Sequence, residues 1–405
     1  MTGSDSDRAR VPWRSPTVQI VLASTLLAPL GVPLVSPALP VVRDAFALTD
    51  ARASLLVSAY FAVGIVLSPF IGLVVDRVGR RRVLVWSLLG FSVTGGAIAF
   101  APTFDVVLAL RLVQGVASAG VFVTTVTIIA DAYEGVQRNA VFGANIAALS
   151  LGAAVFPLLG GALAAVSWSA PFLVYFVGVP LALVAAVALE EPTSDRETRS
   201  LAYLRGAASA LVGRDAGTYY GAAFVTELLT LGAIATALPF LLSAEFALAP
   251  LFIGVALLAS EGAAIVVSMQ NGRLARRFTN RQLVAVGYGC FGVGLAAMWV
   301  APTPAAVAVA VGVFGAGLGV SMPAVDAAVS DLVAERYRAG ALSIRNSTTF
   351  LGRAAGPVLF TGLGAVVGYR PLLAVAAAGT LALAVATLLT GRQSPHGTPH
   401  PDPGD

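Results

Sequence analysis

A chain of 405 residues that is 57% hydrophobic and only 11% charged, with a mean hydropathy of +0.85, cannot cover a water-soluble surface, for which about a quarter of the residues would be charged. Its net charge of +4 comes from 25 basic residues, every one an arginine, against 21 acids, and the placement of those arginines below requires no nucleic-acid partner. The one cysteine, Cys290, excludes an internal disulfide and a thiolate metal cluster, so no metal and no cofactor is expected.

Apolar windows of about 20 residues, the length that crosses roughly 30 Å of hydrocarbon, recur along nearly the whole chain. Twelve spans are predicted, at residues 16–40, 51–75, 82–101, 105–130, 139–163, 169–189, 216–242, 250–270, 283–301, 304–330, 340–365 and 371–391. The runs are continuous rather than alternating, and lipid offers a bare peptide group no partner, so they read as helices and not as barrel strands. The predicted fold class is all-α, a polytopic protein of the lipid bilayer.

Residues 1–15 form a polar, arginine-containing tail. The first span is too long for a signal-peptide core and is interrupted by prolines, so it is expected to remain uncleaved. Pro29, Pro33 and Pro37 recur every fourth residue near one face, which weakens the hydrogen-bond ladder there; a simple kink accounts for them equally well. Between the second and third spans lies "GLVVDRVGRRRVL", residues 72–84, the densest charge in the chain. Arg111 and Gln114 fall inside the fourth span, where a guanidinium costs about 2.5 to 3.5 kcal/mol unless it faces protein or water, or snorkels. Asp131 ends that span, and Asn145 lies in the fifth. The stretch "GAAVFPLLGG", residues 152–161, follows in the fifth span, with small residues for close helix contact and Pro157 to bend it.

Residues 190–215 are mixed in charge and partly amphipathic, as expected of a linker on the membrane surface. Beyond it the spans hold few ionisable residues: Glu227 in the seventh, Glu261 in the eighth, Asp326 in the tenth, Arg345 and Arg353 in the eleventh. Residues 392–405 form a Pro/Gly-rich tail, expected to be disordered, with the only two histidines, His396 and His400.

With both termini on one side, nineteen arginines fall on that side, three on the other (Arg43, Arg52 and Arg370) and three within spans. Short arginine-rich loops stay cytoplasmic, so both termini are expected in the cytoplasm of a cell-membrane protein. Sliding the sequence by 200 residues aligns Gly72 with Gly272, Arg77 with Arg277, Arg81 with Arg281, Gly115 with Gly315, Asp131 with Asp331, Gly152 with Gly352 and Pro157 with Pro357. Scarce residues coinciding at one offset indicate duplication, hence two pseudo-symmetric six-helix bundles, 16–189 and 216–391, related by an axis along the membrane normal.

Four motifs resemble those of the major facilitator superfamily, over essentially all of residues 16–391. Gly72-x-x-x-Asp76-Arg77-x-Gly79-Arg80-Arg81-Arg82 is similar to its signature between helices 2 and 3. "RLVQG", with Arg111, Gln114 and Gly115, resembles the buried-arginine motif of proton-coupled members. Gly152, Pro157, Gly160 and Gly161 resemble the antiporter pattern GxxxGPxxGG, with Phe156 in place of one glycine, and "LGVPLVSPALP" looks like the helix 1 pattern of twelve-helix drug:proton antiporters. The resemblance implies that Asp76 meets the N-terminus of helix 11 to latch the halves on the cytoplasmic side, with arginines bridging to acids such as Asp131; topology anchoring alone would explain the arginines but not the aspartate. Arg276 stands where the repeat would need a second Asp76, which speaks against a symmetric latch.

A proton carrier must change charge at working pH, and burial and a nearby guanidinium act on a carboxylate in opposite directions. The proton-coupling candidates are Glu227, Glu261 and Asp326. Glu227 is favoured because the resemblance implies that helices 1, 4, 7 and 10 line the central cavity, and Glu261 is second, paired with Arg353; a structural ion pair is as good a reading of either acid. Candidates for the substrate cavity are Arg111, Gln114, Asn145, Asn346, Arg353, Phe61 and Tyr220. The expected activity is alternating-access, proton-coupled efflux of small amphipathic compounds by a monomer, with a symporter or uniporter of a polar metabolite as the alternative and a non-transporting sensor as a distant one. No nucleophile–base pair or phosphate loop sits at usable spacing, so an enzyme is not expected.

Overall fold

The computed structural model describes residues 10–191, 214–333 and 338–389. The start of the N-terminal tail, most of the linker at 190–215 and the C-terminal tail with His396 and His400 lie outside the described residues, as do the surroundings of Gly72 and the side chain of Asp76. Every regular element among the described residues is a helix. In chain order the long ones are α1 (Pro16–Ala45), α2 (Asp50–Val78), α3 (Arg80–Phe100), α4 (Phe104–Ala132), α5 (Gly135–Ala164) and α6 (Ala170–Ala188). They continue with α7 (Ala216–Phe246), α8 (Pro250–Ser268), α9 (Asn280–Val300), α10 (Pro304–Asp331), α11 (Arg338–Val367) and α12 (Tyr369–Leu389). Eleven are long and apolar enough to cross a membrane, and α2, at 29 residues, is the twelfth of the bundle. The predicted boundaries differ from these by five residues or fewer.

Helix α1 is not continuous. It is α-helical over Pro16–Leu27, tightens to a 3₁₀ turn at Ala28–Gly31, opens, and resumes through Ser36–Ala38 into Leu39–Ala45. Pro29, Pro33 and Pro37 remove the donors that would have closed those turns, which is why the break falls there. By contrast α5, α10 and α11 absorb Pro157, Pro323 and Pro357 without ending. Helix α7 loosens to a π-helical stretch at Thr230–Ala237, which the sequence reading did not anticipate.

The two sets of six helices repeat one another in detail at the 200-residue offset. Thr103 and Thr303 cap α4 and α10 by accepting from the backbone N–H three residues on. Ala47 and Ala247, the two non-glycine residues with positive φ among the described residues, hold φ of 50° and 49° in the turns before α2 and α8. A Cβ on Gly115 would strike the carbonyl of Tyr60, and one on Gly315 that of Ser260, so α4 on α2 and α10 on α8 touch backbone to backbone.

Core packing shows where the sets meet. One cluster is drawn wholly from α7 to α12, and another, including Val18, Leu84, Leu88, Ile128 and Val141, wholly from the first six helices. A further cluster mixes them: Leu30, Leu34, Leu39, Leu56 and Phe172 pack with Leu231 and Phe240 of α7. It lies at the arginine-poor end, where Ser36 Oγ donates to the Ala235 carbonyl and Thr361 Oγ1 meets Ser54 Oγ at 3.0 Å. The molecule is therefore sealed between its bundles at that end. The three arginines of the arginine-poor end lie in helix-terminal turns and are each paired: Arg43 with Asp50 at 2.8 Å, Arg52 with Asp105 at 2.9 Å and Arg370 with Glu245 at 2.6 Å.

Candidate functional site

The scarce ionisable residues of the last six spans assemble between α7, α8, α10 and α11. Arg353 Nη2 donates to Glu227 Oε1 at 2.7 Å, and the Glu227 side chain is only 5% exposed. This corrects the expected Glu261–Arg353 pairing: Gly352 and Gly356 stand four positions apart on one face of α11, and these glycines let it press against the Phe224 and Leu228 carbonyls of α7, which carries Glu227 in between. Glu261 sits half-buried on α8, with Glu227 as a like-charged neighbour. One layer toward the arginine-rich end, Arg345 meets Asp326 at 2.5 Å, and Arg345 Nη1 donates to Asn346 Oδ1 at 3.2 Å. Asp326, Ser330, Leu342, Arg345 and Asn346 line an open cavity of about 370 Å³. Tyr220 donates to the Ala341 carbonyl at 2.8 Å, which ties α7 to the start of α11.

Aromatic rings connect this charge cluster to the first six helices. The Arg353 guanidinium lies 5.4 Å from the centroid of Phe61 on α2 and 5.7 Å from that of Phe350, and the two rings are 6.1 Å apart. Phe61 therefore belongs to the contact between bundles rather than to an open wall.

Arg111 occupies a different place. It is fully buried inside the first six helices, donating to the Gly31 carbonyl at 3.1 Å, Gln114 Oε1 at 2.8 Å and the Tyr175 hydroxyl at 3.4 Å. Its guanidinium carbon lies 5.5 to 5.8 Å from the rings of Tyr60, Phe172 and Tyr175. Gln114 in turn donates to the Phe91 carbonyl, and Tyr175 to that of Leu30. The arginine thus braces the break in α1, whose unwound carbonyls have no helical donors. Tyr175 was missed by sequence reasoning, since nothing marks one tyrosine of α6 as a partner for a residue of α4. Asn145 accepts from Thr25 at 2.6 Å and likewise joins α5 to α1.

At the arginine-rich end, Gly79, with φ 102°, turns α2 into α3. Arg80 Nε reaches Asp131 Oδ2 at 2.8 Å, while the backbone N–H groups of Arg80 and Arg81 donate to the Glu191 carboxylate at 2.5 and 3.0 Å. Glu191 thereby fills the anion-favouring N-terminus of α3, and Arg81 bonds the Ala186 carbonyl. Arg77 is exposed. Gly152, Gly160 and Gly161 of α5 lie where an added Cβ would strike the Leu26 carbonyl, the Leu34 carbonyl and the Pro250 carbonyl, and Pro157 presents its own carbonyl to Gly254 of α8.

A membrane-crossing helical bundle built of two like sets, with its few charges gathered between facing helices, is the architecture of a membrane transport protein. The chain belongs to the Major Facilitator Superfamily, whose family model matches residues 21–215 and 220–405. It is a secondary transporter of a small-molecule substrate across a membrane, not an enzyme. It is 28% identical over 355 residues to the class C tetracycline resistance protein of Escherichia coli, covering 85% of this chain and 88% of that one. It is 25% identical over 360 residues to the bacillibactin exporter of Bacillus subtilis (strain 168), covering 85% and 89%. Among solved structures, the nucleoside transporter NupG matches with a TM-score of 0.77 over 93% of this chain and 100% of that one, at 12% identity, a likeness of fold alone.

Proposed function

We propose that the protein is a proton-coupled exporter of small amphipathic compounds, acting as a monomer by alternating access, in which Glu227 carries the coupling proton. The observation that carries this reading is the Arg353–Glu227 ion pair, 2.7 Å long, between α11 and α7. Arg353 also rests against Phe61 of α2, so the pair sits where one bundle touches the other. Protonating Glu227 removes the charge that holds Arg353, and a half-buried guanidinium that loses its counter-ion moves or finds another partner. Proton uptake is in this way converted into a change at the contact between bundles. The names of the relatives, a resistance protein and an exporter, favour outward movement, as does the resemblance of "GAAVFPLLGG" to the antiporter pattern.

In this reading residues 16–189 and 216–391 rock about one another, joined by 190–215, in the plasma membrane with both termini and the tails 1–15 and 392–405 in the cytoplasm. The arginine-poor end, sealed here, is the outer one. The antiparallel run of α2 beside α11, in which Ser54 faces Thr361 and Phe61 faces Arg353, extends toward the end of α2 and the start of α11. That supports Gly72, Asp76, Arg77 and Gly79 as the gating loop that closes the inner side, with Arg80, Arg81 and Asp131 as its scaffold.

The test is accumulation in everted vesicles of a panel of amphipathic compounds added outside, with and without an imposed pH gradient. Gradient-driven transport by the wild type, lost in Glu227→Gln with membrane insertion intact, is the expected result. Transport that ignores the gradient, or proton exchange that survives in Glu227→Gln, defeats the assignment.

A further inference from the structure

We infer that the turn joining α8 to α9 is a docking surface for the phosphate groups of anionic phospholipids, in the leaflet on the arginine-rich side. The two duplicated loops have diverged in how their charge is used. In the first, Arg80 pairs with Asp131 at 2.8 Å, Arg81 donates to the Ala186 carbonyl, and Glu191 accepts from the backbone N–H groups of both. In the second, residues 269–281 read "MQNGRLARRFTNR", with four arginines and no acid; Arg276 stands at the repeat position of Asp76 and Asn280 at that of Arg80. Arg281 donates to the Thr387 carbonyl of α12. Arg273, Arg276 and Arg277 are exposed, and among the described residues their side chains make no ion pair and no hydrogen bond.

The three free guanidinium groups are held on one built surface. Asn271–Leu274 is a helical turn, and the N–H groups of Ala275, Arg277 and Phe278 carry its bonding on, to the carbonyls of Asn271 and Leu274. Arg273, Arg276 and Arg277 therefore stand at i, i+3 and i+4 on one face, while Leu274 turns the other way and packs on the core of the second bundle. Ser268 Oγ and Asn271 Nδ2 both donate to the Gly319 carbonyl, at 3.1 and 2.6 Å, which fixes the turn against α10. Met269, one turn before Arg273, is 82% exposed and continues the apolar strip that Phe252, Val255 and Val266 present to lipid. Phe278, 45% exposed, ends the turn.

Fixing topology requires positive charge but no particular arrangement of it. Here the arrangement is defined: three forked donors that match phosphate oxygens, gathered where the hydrocarbon-facing strip of α8 ends, with an apolar side chain at either side. A basic cluster immediately beyond a membrane helix is attracted to an anionic leaflet, and exposed Met269 and Phe278 suit acyl chains rather than water. A free phosphate or an acidic peptide would satisfy the arginines and leave those two side chains uncovered. The inner end of the second bundle is in this way tied to lipid, whereas the matching end of the first is tied to its own acids.

The experiment is thermal unfolding of the purified full-length protein in detergent micelles, supplemented with dioleoylphosphatidylglycerol or with dioleoylphosphatidylcholine, since a lipid that binds the folded state raises the midpoint. The wild type is expected to gain at least about 3 °C more from the anionic lipid than from the neutral one. The triple variant Arg273→Gln, Arg276→Gln, Arg277→Gln should lose most of that difference, with its midpoint in phosphatidylcholine reporting that it is folded. The triple variant Arg10→Gln, Arg14→Gln, Arg82→Gln, which removes the same charge elsewhere on the arginine-rich side, should keep it. Glycerol 3-phosphate, a phosphate without acyl chains, should give the wild type no gain. A wild type indifferent to lipid charge, a loop variant that keeps the difference, equal loss in both variants, or a gain from glycerol 3-phosphate equal to that from the lipid overturns the inference. The measurement uses neither substrate nor pH gradient, so its outcome is separate from that of the transport reading.

Discussion

The phenol of Tyr369, at the start of α12, donates a 2.6 Å hydrogen bond to Asp50, at the start of α2, joining residues 319 positions apart in the chain. Asp50 is held at the same time by Arg43, whose guanidinium lies 5.6 Å from the centroid of Phe240 on α7. Four helices from both sets thus converge at one carboxylate on the arginine-poor end. Removing the hydroxyl in Tyr369→Phe leaves Asp50 its arginine but takes one charge-assisted bond from the sealed state, worth about 1.5–3 kcal/mol. Residue 38, fully buried in the seal, is a suitable reporter. A cysteine placed at Ala38 in a Cys290→Ser background should react with a membrane-impermeant thiol reagent at least fivefold faster when Tyr369→Phe is added. Unchanged labelling would mean that the bond does not hold the seal.

The same seal depends on missing side chains. A Cβ on Gly254 would collide with the Pro157 carbonyl, and that is backbone, which cannot rotate away. Gly254→Val should force α8 from α5, at a cost of about 1–3 kcal/mol for overpacking, and should raise labelling at position 38 in the way that Tyr369→Phe does. Gly262→Val on the same helix is the control, because a Cβ there meets nothing within 4 Å. Equal behaviour of the two variants would dismiss close approach as the reason for the glycine.

How far the sequence foretold this arrangement depended on whether the signal was local. Span positions were legible because an apolar run of 20 residues is its own evidence of burial in lipid, and the break in α1 was legible because prolines remove donors wherever they stand. Which acid would meet Arg353 was not. Glu227 and Glu261 lie at similar depths in neighbouring spans, and only the packing of α11 against α7, set by glycine contacts on both, brings Glu227 within reach. The role of Tyr175 and the π-helical stretch of α7 were hidden for the same reason. Arg43, Arg52 and Arg370 looked like exceptions to the arginine asymmetry until their acidic partners were seen beside them, since Asp50, Asp105 and Glu245 come from other elements or turns.

Arg111 is held by its shape as much as by its charge. One nitrogen, Nη1, reaches the Gly31 carbonyl, Gln114 and Tyr175 while the planar group stays within 6 Å of three ring centroids. Lysine keeps the charge but offers a compact, strongly hydrated head that cannot stack in this way. Arg111→Lys is therefore expected to cost about 1–3 kcal/mol and to lower the thermal midpoint of the purified protein by several degrees, through loss of the brace on α1. A midpoint equal to that of the wild type would show that charge alone suffices.

At the opposite end, Arg80 and Asp131 illustrate how burial separates one arginine from its neighbours. Arg80 has a side chain 6% exposed and joins α3 to the end of α4 through Asp131, 19% exposed, whereas Arg82, two residues on, points to the surface. The repeat has Asn280 in the place of Arg80, so the second bundle lacks this tie although Asp331 is present. Desolvated pairs lose far more than surface ones when a partner is removed. Asp131→Asn should destabilise the protein by about 2–3 kcal/mol in detergent unfolding, and Arg82→Ala by less than about 0.5 kcal/mol. A double-mutant cycle on Arg80→Ala and Asp131→Ala should return a coupling of about 1 kcal/mol or more. A coupling near zero would leave Arg80 as a topology anchor only, and the scaffold assigned to the gating loop would lose its first member.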